Sequence, residues 1–118
     1  MEKQAAKFAM MLLNAATVAH ILHLQTKSYA QHMALGELYE ALPGLVDDVV
    51  EAYQGKYGVI GSYPVTFEMS KDPISFINDL SSFVATYRDF CEDSEIQNMI
   101  DNIAGQIDST MYKLKNLS

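Results

Sequence analysis

All three histidines of the chain, His20, His23 and His32, fall within thirteen residues, and fifteen residues beyond the last stands Asp47, followed four later by Glu51. Imidazole nitrogens combined with carboxylate oxygens suit Fe(II), Zn(II) or Mn(II) better than calcium, which takes oxygen donors alone. Asp47 and Glu51, one helical turn apart, can share an ion. His32 cannot join them within one chain, because fifteen residues of straight helix measure about 22 Å. His32, Gly36, Glu40, Pro43, Asp47 and Glu51 nevertheless run as an approximate stripe along one side. Two copies of such a helix, paired antiparallel about a two-fold axis, bring His32 of one to Asp47 and Glu51 of the other. His20 can join from the preceding helix. His23 shares a face with His20 and reads equally as a third ligand or as a hydrogen-bonded residue. A plainer reading competes: carboxylates at helical spacing form a solvated face, and a histidine ending an apolar helix caps it.

The elements that position these residues are all helical. Residues 2 to about 26 read as a first helix, apolar on most sides, with Lys3, Lys7, Asn14 and Thr17 as a thin polar stripe. A helix this apolar needs cover from other helices or from another subunit. Ser28 followed by Gln31 is a capping-box pattern that opens a second helix near Tyr29. Leu35, Leu38, Leu42, Leu45, Val49 and Tyr53 give it an apolar face, and Pro43-Gly44 predicts a kink or short break. The run "QGKYGVIGSYPVTFEMSK" reads as a long connection whose 18 residues, extended, reach roughly 60 Å. Asp72-Pro73 starts a third helix carried by Ile74, Ile77, Leu80, Val84 and Tyr87. Ser94 is placed to cap a fourth, with Ile96, Ile100, Ile103, Ile107 and Leu114 as its stripe. The expected fold is an all-α, ferritin-like four-helix bundle, one domain over residues 1–118, with a long crossover between helices 2 and 3.

Composition narrows the function. With 118 residues, nearly half of them hydrophobic, the chain can build one core without staples. A net charge of −7 disfavours nucleic-acid binding, and Lys3 and Lys7 alone make a poor DNA-binding arm. A single cysteine, Cys91, excludes an internal disulfide framework and fits a reducing cytoplasm. The run "FAMMLLNAATVAHILHL" is interrupted by Asn14 and followed by polar residues, and it reads as a buried helix rather than a signal peptide or membrane span. The seven methionines read as core fillers and the seven tyrosines as interface residues. No glycine-rich phosphate loop and no nucleophile with a base is present.

The spacing His20, His32, Asp47, Glu51 resembles that of Dps proteins, the miniature ferritins, and the likeness extends loosely from about Phe8 to Leu117. The chain also looks like small Dps-like proteins predicted from bacteriophage genomes. This resemblance implies a cytoplasmic homo-oligomer, a dimer or a higher form up to a dodecamer. It implies Fe(II) oxidation by peroxide or dioxygen at a mono-iron or di-iron site between subunits, with protection from iron-driven oxidative damage as the result. His20 and His32 are then the nitrogen ligands, and Asp47 and Glu51 the oxygen ligands. The departures are specific. Ile21 stands where the family usually has tryptophan, Gly36 where a carboxylate is frequent, and Pro43 has no counterpart. Glu37 points about 100° away from the Gly36 position. The Glu-x-x-His pair of the usual di-iron bundle is absent. These departures motivate an alternative, a non-enzymatic interaction or structural protein on the same fold, phage-encoded and acting on a host component.

Overall fold

A computed structural model describes residues 1–65 and 68–117. Four main helices account for most of the chain: α1 (Glu2–Gln25), α2 (Tyr29–Tyr57), α3 (Pro73–Tyr87) and α4 (Ser94–Asn116). A 3-10 turn, Arg88–Phe90, precedes α4, and no strand occurs among the described residues. The segment 58–72 joins α2 to α3, and its Thr66 and Phe67 lie outside the described residues.

The starts of α2 and α3 follow from side-chain caps. Ser28 Oγ accepts from the backbone N–H of Gln31 at 3.2 Å. The Gln31 side chain does not complete a reciprocal box. It instead accepts from Thr26 Oγ1 at 2.6 Å, and Thr26 Oγ1 serves the Ser28 N–H. Asp72 accepts from Ser75 N at 3.0 Å, with Pro73 in the first turn where its missing donor costs nothing. Helix α4 begins differently from the expectation. Ser94 is already helical, the capping position is Asp93, and the Asp93 carboxylate is engaged elsewhere.

Of the kink or short break expected at Pro43, the break does not occur: α2 runs continuously through Pro43, and it extends past Gln54, the expected start of the connection, to Tyr57. Pro43 and Gly44 are exposed, so water can serve the Tyr39 carbonyl that proline leaves without its helical donor. The helix stops at Gly58, whose φ of 100° lies where only glycine sits without strain, and whose N–H bonds to the Gln54 carbonyl.

Burial follows the expected stripes closely. Leu35, Leu38, Leu42, Val49 and Tyr53 of α2 and all five expected residues of α4 are buried, while Leu45, Ile74 and Tyr87 are only partly covered or exposed. Phe76 and Phe83, outside the expected α3 stripe, are buried too. Helix α1 contributes six buried alanines, among them Ala5, Ala9, Ala15 and Ala19, beside Phe8 and Leu12. Small residues at this spacing let α1 approach its neighbours closely. Among the described residues, α1 alone passes by length and composition as a membrane-spanning helix, but half of its most apolar stretch is buried in the core.

Each helix has two main neighbours: α1 packs on α2 and α3, and α4 packs on α2 and α3. Their directions are set by contacts at the ends. His23 of α1 meets His32 of α2 at one end of the bundle. Lys56 of α2 meets Glu95 of α4, whereas Glu37 meets Lys113, so α2 and α4 are antiparallel. Phe8 stacks on Phe83 and Lys7 lies over Tyr87, joining the start of α1 to the end of α3.

Candidate functional site

The α1–α2 hairpin gathers all three histidines. The last carbonyls of an α-helix lack intrahelical donors, and α1 satisfies one of them locally at its C-cap and another across the turn. Leu22 O takes the Thr26 N–H, and His23 O takes Nδ1 of His32 at 2.8 Å. In return, Nδ1 of His23 reaches His32 O at 2.5 Å. The two rings stack, with centroids 3.6 Å apart and planes at 18°.

This reciprocity decides the tautomers. A carbonyl oxygen can only accept, so both Nδ1 atoms carry the proton. In the neutral imidazoles, Nε2 is then the atom with the available lone pair. A backbone carbonyl on Nδ1 is also the usual way in which a protein orients a metal-ligating histidine. The capping role and the ligand role, which compete in the sequence, use opposite nitrogens and are compatible.

His20, one turn before His23, is exposed and stacks on Tyr39 with centroids 3.9 Å apart and planes at 4°. Its ring makes no hydrogen bond among the described residues. Gly36, one turn before Tyr39, faces His23. A Cβ there would come within 3.1 Å of the His23 ring atoms Cε1 and Nδ1. The space at the position where Dps proteins frequently carry a carboxylate is therefore taken, in effect, by His23. Glu37 offers no substitute, because it is paired with Lys113 at 2.5 Å.

Asp47 and Glu51 lie further along α2, both exposed and neither in an ion pair among the described residues. Continuity of α2 keeps them far beyond shared reach of His32, since fifteen helical residues span about 22 Å and metal–ligand bonds are only about 2 Å long. Accordingly, no group of three or more His, Cys, Asp or Glu among the described residues is arranged within one chain to hold an ion. The structure joins His20, His23, His32 and Tyr39, and leaves Asp47 and Glu51 apart.

A second polar cluster, missed in the sequence, closes the opposite end. Asp93 accepts from Tyr57 Oη at 2.5 Å and pairs with Lys56 Nζ at 2.5 Å. Its carboxyl is held down to about 2, first by the Lys56 hydrogen bond and then by that of Tyr57. Cys91 lies buried nearby, and burial pushes its thiol up, away from reactivity. The partners are 36 and 37 residues apart in sequence, so no local pattern marks them.

Fold and site together define an all-α, four-helix protein with a histidine-rich hairpin. The profile of a family of unknown function, DUF5856, matches residues 23–114, and the chain belongs to that family. It is also 31% identical over 114 residues to the "Uncharacterized 14.6 kDa protein in mobD-ri intergenic region" of Enterobacteria phage T4. That alignment covers 94% of this chain and 88% of the phage protein. No solved structure matches. Neither match carries a ferritin or Dps description, whereas the phage relative agrees with the phage resemblance of the sequence.

Proposed function

We propose that this protein is a self-associating helical bundle that binds a divalent transition metal, Fe(II) foremost, between subunits. The observation that carries this reading is the locking of both hairpin imidazoles through Nδ1, which commits Nε2 of His32 to the role of acceptor or ligand. His20 supplies a second exposed imidazole, and Asp47 and Glu51 of a second chain supply oxygens. Zn(II) and Mn(II) suit the same donors. The outward face of α2 carries Glu40, Asp47, Asp48 and Glu51, so two such faces repel unless cations lie between them. Exposed Ile21, Leu24, Tyr29 and Met33 at the hairpin end add apolar surface that a second copy can cover.

A ferritin-like crossover is supported by helix direction. Helices α2 and α3 both oppose α1, which leaves segment 58–72 the length of the bundle to cover. Ser62, Tyr63 and Pro64 lie beside the start of α1, and Glu68, Met69 and Lys71 beside Val18 and Ile21. If Fe(II) is the substrate, each of two ions loses one electron, and peroxide takes both electrons and two protons to become two waters. A second reading, a non-enzymatic interaction protein, draws on Gly36, because the packing of His23 there puts a structural contact where Dps proteins frequently have a ligand.

Mixed dimers test the trans arrangement. His32→Ala chains and Asp47→Ala/Glu51→Ala chains should each lose anaerobic Fe(II) binding, and their verified heterodimer should recover about half, because one intact site reforms. Chelation should dissociate the wild-type dimer in light scattering. Binding retained by every single variant returns Asp47 and Glu51 to a solvated face and favours the second reading.

A further inference from the structure

We propose that Tyr39 is a positioning residue that holds the His20 imidazole ready for a ligand. Its consequence for metal rests on the intersubunit reading above. His20 and His23 lie one turn apart on α1, and Gly36 and Tyr39 lie nearly one turn apart on α2, so the two pairs face each other. Gly36 leaves room for the His23 ring, which two further contacts then hold: the hydrogen bond to His32 O and the stack on His32. His20 has neither. Its ring lies face to face on Tyr39, near-parallel at 4°, and among the described rings otherwise meets only that of His23, edge-on at 6.1 Å, while Tyr39 is tilted against His23 at 5.2 Å. An exposed imidazole without a hydrogen bond otherwise samples several rotamers, and each ligand that must be ordered on binding weakens the site. Stacking pre-orders it. The aromatic face, not the phenolic hydroxyl, does this.

The experiment uses the full chain, with Co(II) as an air-stable spectroscopic probe. In metal-free protein the His20 ring protons should be shifted upfield by the Tyr39 ring current, and the shift should survive in Tyr39→Phe and vanish in Tyr39→Leu. Co(II) affinity should be unchanged in Tyr39→Phe and fall about 10- to 100-fold in Tyr39→Leu, the range typical when the group orienting a ligand is removed. Leucine keeps apolar volume, and circular dichroism verifies the fold of each variant. Wild-type protein without the upfield shift overturns the stacking, whether or not it binds Co(II). Equal affinity in folded Tyr39→Leu overturns the positioning role while leaving the metal reading intact. Loss of affinity in Tyr39→Phe assigns the effect to the hydroxyl and overturns the stacking as its cause. Wild-type protein that shows the shift but binds no Co(II) overturns the metal reading and the positioning role with it.

Discussion

Where α1 turns into α2, imidazole rings and backbone carbonyls join the helices; where α2 ends beside the start of α4, a carboxylate, an ammonium and a phenol do so. At the α4 end the partners consume one another. Asp93 has a cation on one oxygen and a hydroxyl on the other, and its side chain is only 9% exposed. At the hairpin the His23 and His32 rings each spend one nitrogen on structure and keep the other. The difference teaches that a polar cluster is a candidate site when its structural bonds leave an atom over. A charge that is fully paired is architecture.

The largest effect expected from breaking this contrast lies in the histidine pair. His32→Ala removes the donor to an end carbonyl of α1 together with the ring stack, and should cost about 1–3 kcal/mol in urea denaturation. His23→Ala should cost somewhat less, because His32 O keeps its place in the α2 ladder. The two substitutions should not add. A coupling of at least about 0.5 kcal/mol is expected in the double-mutant cycle. Additive losses would show that the rings stand independently, and the reciprocal bonds would then explain nothing about tautomer.

The clasp at the other end gives a smaller effect with a defined pH window. The folded pKa of Asp93 lies near 2, below an ordinary aspartate near 4. Its contribution is therefore fully present above about pH 4 and is lost as pH falls toward 2. The difference in melting temperature between wild type and Asp93→Asn should be constant from neutral pH down to about 5, then shrink. A difference that stays constant to pH 2 would mean that the pair does not depress Asp93.

How much of this was legible in the sequence depends on the range of the interaction. The four helices were legible, because Ser28, Asp72-Pro73 and the spaced isoleucines of α4 are local signals. Continuity through Pro43 was not, because whether a freed carbonyl can be hydrated depends on which face turns outward. His20, His23 and His32 stood out by type, yet the choice of nitrogen at His23 and His32 needed the geometry of both helices of the hairpin. Tyr39 and the Lys56–Tyr57–Asp93 clasp gave no sign, since each partner lies on another helix. The ferritin-type spacing of His32 to Asp47 and Glu51 remains a statement about two chains, which one bundle does not bring together.

The smallest effect sharpens the contrast through glycine. An exposed helical glycine with open space should gain about 0.5–1 kcal/mol when changed to alanine, because alanine loses less entropy on folding. Gly44 is such a position, with nothing within 4 Å of a new Cβ, so Gly44→Ala should raise the melting temperature. Gly36 has the same helical advantage to gain, but its new Cβ would press on the His23 ring at 3.1 Å. That ring cannot retreat freely, because it is bonded to His32 O and stacked on His32. Gly36→Ala should therefore be neutral or destabilising by up to about 2 kcal/mol, local overpacking of roughly 1–3 kcal/mol being set against the helical gain. Removing the obstacle should restore the gain. In a His23→Ala background, Gly36→Ala should stabilise by about as much as Gly44→Ala does in the wild type. A Gly36→Ala variant that is already stabilised with His23 present would show that the ring yields, and that the hairpin is looser than its paired hydrogen bonds imply.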